Sequence, residues 1–113
     1  MLHGKIHWFY QRLTAILILP LLFWLIFSLS LIPEVTFENM VDWVSKTHNF
    51  IFLSMLIVFS SSHFKLGIQV ILEDYIYNIS TRNFYIKFIN FFYYILVFIG
   101  LLSVSKIYFG VSL

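Results

Sequence analysis

The chain has no cysteine. That absence removes disulfides, thiolate metal sites and cysteine nucleophiles together, and it leaves the redox compartment open. Charge is scarce too: Asp, Glu, Lys and Arg make up 11% of the 113 residues, against roughly a quarter in an ordinary soluble domain. There are four glycines, two prolines and a single alanine, Ala15. The net charge of +2 is small and dispersed, so it offers no footing for nucleic acid.

What fills the space is apolar: 61% of the residues are hydrophobic and 21% aromatic. A chain this short, folded alone, buries only about two thirds of its surface, so most of those side chains would face water. Lipid or partner subunits must cover them. The abundance of Phe, Ile, Tyr and Asn beside so little Ala and Gly is the bias of an AT-rich genome, organellar or bacterial.

Three stretches are long and apolar enough to cross a hydrocarbon layer about 30 Å thick, which takes around 20 helical residues. They are residues 13–32, 50–72 and 88–109. Helices are the expected form, because a bilayer cannot satisfy exposed backbone groups. The first run is as long as a span and lacks a small-residue cleavage site, so it reads as a retained helix rather than a signal peptide.

Between the first two spans, Pro33 ends a helix, and Phe37, Met40, Val41 and Val44 recur at helical spacing. That pattern predicts a short amphipathic helix on the membrane surface, with Glu38 and Asp42 towards water and Trp43 at the interface. The second connection, residues 73–87, is polar, with Asn78 to Arg82 reading as a turn and the start of the third helix. The expected fold class is thus an all-α membrane protein, three transmembrane helices with a short interfacial helix between the first and second, forming one domain over residues 1–113. Lys5, Arg12, Arg82 and Lys87 fall on one side and Lys46 and Lys106 on the other, which puts the N-terminus on the matrix or cytoplasmic side.

Chemistry is most concentrated from Ser60 to Tyr75. His63 falls near the centre of the second span, where an ionisable residue is costly and usually has a use. A neutral imidazole in an apolar bundle is a good axial ligand for haem iron. A bond to a hydroxyl or a carbonyl of a neighbouring helix would satisfy it equally well, and both readings stand. Gly67, one turn on, would let a flat cofactor or another helix approach the backbone.

Asp74 follows His63 by eleven residues, nearly on the same face and about 16 Å along the axis. With Tyr75 it lies at the inner boundary, where a phenol can donate to a quinone carbonyl and a carboxylate can relay protons. A solvated helix end with a belt tyrosine is the plainer alternative. At the mouth of the first span, Arg12 would pair with a carboxylate such as a haem propionate, or serve as a positive-inside anchor beside Trp8. His3 and His7 have metal-pair spacing but no carboxylate or thiolate partner. Lys65, about 200° around the helix from His63, either snorkels or meets an acidic or polar group of a neighbouring subunit.

Two motifs, His7-Trp8-x-x-Gln11-Arg12-x-Thr14-Ala15 and His63-x-x-x-Gly67-x-Gln69-Val70-x-x-Glu73-Asp74-Tyr75, resemble the smaller hydrophobic membrane anchor of succinate dehydrogenase, respiratory complex II. The likeness extends to length and to the three spans. It implies that His63 is one axial ligand of haem b, the other being a histidine of the second membrane anchor of the same complex. It further implies that Tyr75 lines the ubiquinone site with Asp74 beside it, and that Arg12 lies near the haem and quinone. His7 matches only loosely, and Lys65 departs from the family pattern.

The chain carries no flavin, iron–sulfur or substrate-binding motif. The resemblance therefore implies a subunit that is not catalytic alone. It would sit in the mitochondrial or a bacterial inner membrane, with the flavoprotein and iron–sulfur subunits docked on the inner face. Two rival readings are a ligand-free structural or assembly subunit of another respiratory complex, and a small transporter or channel subunit. The second is disfavoured because His63 and Lys65 do not share a face.

Overall fold

The computed structural model describes residues 2–110, with side chains from Gly4 onward. Among the described residues the order is α1 (Leu2–Ser30), α2 (Phe37–Ser45), α3 (Thr47–Tyr75) and α4 (Ile79–Phe109), and none is in a strand. The stretches Gly4–Ser30, Thr47–Tyr75 and Ile79–Phe109 are each long and apolar enough to cross a membrane, with the short α2 between the first and second. The all-helical expectation stands.

The boundaries differ from those expected, for a local reason. Hydropathy marks only the apolar middle of a helix, whereas caps set its ends. The Asn78 side chain accepts from the backbone N–H of Thr81 at 3.1 Å, starting α4 well before its apolar core. The connection expected over residues 73–87 shrinks to Ile76, Tyr77 and Asn78. At the other end, Leu31 and Ile32 donate to Ser28 O and Leu29 O, three residues back. That tightened last turn and Pro33 stop α1 at Ser30. Gly110 ends α4 with φ of 67°, the left-handed cap that favours glycine.

Thr36 caps α2 by accepting from Asn39 N at 3.1 Å, and only Lys46 separates α2 from α3. Glu38 and Asp42 are not buried, but the apolar face is not laid out as expected. Phe37 is 84% exposed, while Trp43 is 6% exposed and belongs to the protein core rather than to the interface. Trp43 stacks on Trp24 of α1 with centroids 5.6 Å apart and donates its indole N–H to Ser28 Oγ at 2.8 Å. A ring held by both a stack and a hydrogen bond is better satisfied inside than at the membrane surface.

Asn49 closes the elbow between α2 and α3. It is 1% exposed and donates to Trp43 O at 2.8 Å. Trp43, Val44 and Val104 of α4 form the buried core at this end.

The middle helix is α3. It packs against α1 on one side and α4 on the other, and α1 and α4 make no backbone approach to each other. Both neighbours run antiparallel to it. The α3–α4 contact is close at Gly100, where an added Cβ would lie 3.0 Å from Ile57 Cγ2, so a small residue there permits the approach. The result is a slab of 51 × 31 × 21 Å, and most of its large apolar side chains, Phe23, Phe91 and Phe98 among them, face outward.

Candidate functional site: a histidine held at mid-span

His63 is half-buried on α3 at the seam with α1. Its Nδ1 lies 2.9 Å from Thr14 Oγ1. Thr14 is 8% exposed, and the same hydroxyl is 2.9 Å from Tyr10 O and 3.0 Å from Gln11 O, the preceding turn of its own helix. A hydroxyl has one hydrogen and two lone pairs. With the hydrogen shared between those carbonyls, Oγ1 accepts from Nδ1–H. In that arrangement Nε2 carries the lone pair, whereas a hydroxyl donating to Nδ1 would leave the proton on Nε2. No hydrogen bond among the described residues engages Nε2. An imidazole anchored at one nitrogen and bare at the other has the form of a metal-ligating histidine with its outer partner in place.

One turn along, Gln11 of α1 lies over Gly67, its Nε2 being 3.9 Å from where a Cβ would sit and the nearest group. That is ordinary contact, so the packing of α1 on α3 does not itself require glycine. His7, two turns before Thr14, is half-buried with Nε2 enclosed and unpartnered. The side chain of His3, the other member of the metal-spaced pair, lies outside the described residues.

The remaining candidates are not gathered around His63. Asp74 and Tyr75 are in the last turn of α3, exposed, Tyr75 at 78%. Helical periodicity keeps Asp74 within about 20° of His63 and puts Tyr75 about 120° away. Arg12 is exposed, about 200° around α1 from Thr14, with its guanidinium 5.8 Å from the Trp8 ring centroid. These groups face lipid, water or another chain.

Sequence reasoning missed Tyr93. Its hydroxyl is 2.8 Å from Ser62 Oγ, and Lys65 Nζ lies 4.6 Å from its ring centroid. A signal was available, since a tight antiparallel turn pairs residues equidistant from it. Ser62 with Tyr93, Ile57 with Gly100 and Thr47 with Tyr108 all obey that register about Asn78 to within one residue. The Thr14–His63 pair has no such shortcut, because α2 intervenes between α1 and α3.

Three apolar helices around a polar mid-span define a multi-pass membrane protein. Residues 2–102 match the model of the succinate dehydrogenase/fumarate reductase transmembrane subunit, and the chain belongs to that family. It is 32% identical over 82 residues to the succinate dehydrogenase membrane anchor subunit of Reclinomonas americana, covering 70% of this chain and 68% of that one. It is 35% identical over 81 residues to the hydrophobic membrane anchor subunit of Rickettsia bellii, covering 71% and 64%. For that of Rickettsia felis the identity is 31% over 90 residues, covering 79% and 74%. The chain thus spans about two thirds of the length of the first two relatives. No solved structure matches it significantly.

Proposed function

We propose that the chain is a membrane-anchor subunit of succinate:ubiquinone oxidoreductase, in which His63 ligates haem b from one side and a histidine of the second membrane anchor ligates it from the other. The observation that carries this is the Thr14–His63 pair. It leaves Nε2 bare near the middle of a span, where a neutral ligand needs no countercharge. The haem would supply a one-electron redox centre. Thr14 would hold the ring plane and its tautomer, while the lipid-like surroundings exclude water.

Ubiquinone is assigned to the exposed end of α3, where Tyr75 can donate its phenol hydrogen to a quinone carbonyl and Asp74 can pass protons in from water. Arg12 would neutralise a propionate at the mouth of α1. The flavoprotein and iron–sulfur subunits would dock on this same end, which carries Lys5, Arg12, Arg82 and Lys87 and would face the matrix or cytoplasm of an inner membrane.

A reduced-minus-oxidised spectrum of the purified complex tests the ligand. A b-type signal that is lost or shifted in His63→Ala supports it. A native complex with no haem would refute it. A second reading rests on the same contact: the Thr14 bond alone satisfies one nitrogen of the imidazole, so His63 could be a structural clasp in a ligand-free anchor. That reading expects no haem spectrum and an effect of His63→Ala on stability only.

A further inference from the structure

We propose that Lys65 is the docking point for a carboxylate on a transmembrane helix of another subunit, seated in the groove between α1 and α3. The inference goes beyond the haem and quinone assignment and rests only on the chain working within a membrane complex.

Lys65 is ten residues from the end of α3 at Tyr75, about 15 Å along the axis from that end, and falls inside the apolar stretch 50–72. Side chains on a helix lean towards its N-terminus, so this one leans towards the bilayer middle. The structure agrees: the ammonium lies 4.6 Å from the ring centroid of Tyr93, midway along α4. It has not snorkelled to an interface. Ser62 holds the Tyr93 hydroxyl at 2.8 Å, which keeps the ring in place under the cation.

A ring quadrupole offsets only part of the cost of an ammonium within an apolar span. The chain has no carboxylate to offset the rest. Glu34, Glu38, Asp42, Glu73 and Asp74 all lie at helix ends or in a connection. Glu73, the nearest in sequence, is about 12 Å away along the axis and accepts from Gln69 Nε2 at 3.2 Å. A second copy of the chain is excluded as the partner by the same count, since it too has no acid at this depth.

The lysine also lines a groove of about 390 Å³ between Leu13 and Leu17 of α1 and Phe59 and Leu66 of α3, with Thr14 and Ser62 as hydroxyls in its wall. Acyl chains fit apolar walls but bring no anion to mid-bilayer. A helix carrying an Asp or Glu brings both the apolar knobs and the charge.

The test uses the complex in its native membranes, treated with dicyclohexylcarbodiimide, which enters lipid and couples an amine to a carboxylate in contact with it. Mass spectrometry should find Lys65 joined to an Asp or Glu in a transmembrane segment of another subunit. The same join should be absent in Lys65→Arg. That variant should assemble as the native chain does, whereas Lys65→Met, present in membranes at the native level, should carry at least fivefold less partner subunit. Where no join forms, the assembly ratio decides. Equal assembly of Lys65→Met, or a join to a haem propionate or to a lipid, overturns the proposal. A complex that shows the protein join but no b-type spectrum would sink the haem reading and leave this one intact.

Discussion

The two ends of the slab solve the same problem differently. At the α2 end the chain covers itself: Trp43 stacks on Trp24, its indole N–H is bonded to Ser28, and Asn49 ties the elbow. At the opposite end the helices stop without a cover. Tyr75 and Tyr77 are 78% and 88% exposed, with Arg12 and Asp74 facing outward beside them. Val35 and Phe37 at the α2 end are as open, so the ends differ in the buried Trp43–Asn49 cluster rather than in exposed aromatics. A chain that finishes one end and leaves the other open, with its cations concentrated there, is built to be completed by other subunits. The contrast places the candidate chemistry of this membrane anchor at mid-span and at the open end.

Substitutions at three positions would break or sharpen that contrast. Trp43→Ala removes the centre of the closed end and should cost about 3 kcal/mol, read as a clear drop in the thermal midpoint of the solubilised complex. An unchanged midpoint would mean that partners, not Trp43, hold this end together. Gly100→Ala forces a Cβ to 3.0 Å from Ile57. Ile57 must shift, and the expected loss is about 1 kcal/mol, the low end for overpacking. Gly100→Leu should be worse, and the order of the two is the check. Tyr75→Phe, at the open end, should leave the midpoint within about 0.5 kcal/mol of the native value, as for exposed sites in general. It should nonetheless slow quinone reduction while sparing succinate oxidation by an artificial acceptor. Loss of neither activity would remove Tyr75 from the quinone site.

Much of this architecture is legible in the chain. The spans, the short helix between the first two and the candidate ligand His63 follow from hydropathy and from one ionisable residue in the wrong solvent. Element ends are less legible, because Asn78 and Gly110 set them through single hydrogen bonds and one backbone angle rather than through composition. Tryptophan favours the interface, and nothing local to Trp43 reveals that Trp24 and Ser28 wait for it inside. Lys65 is open to two readings for the same reason, since its direction depends on Tyr93, 28 positions further on.

That the chain must enter a membrane as helices depends on composition alone, since no soluble arrangement of 113 residues could hide this much apolar surface. The state of His63 does not. Its Nδ1 meets a hydroxyl 49 residues away, which also lies against the carbonyls of Tyr10 and Gln11. Periodicity can say which face of a helix a residue occupies. It cannot say which neighbour that face meets, because the order of helices around α3 is decided by packing at Gly100, Thr14 and the Trp24–Trp43 stack together.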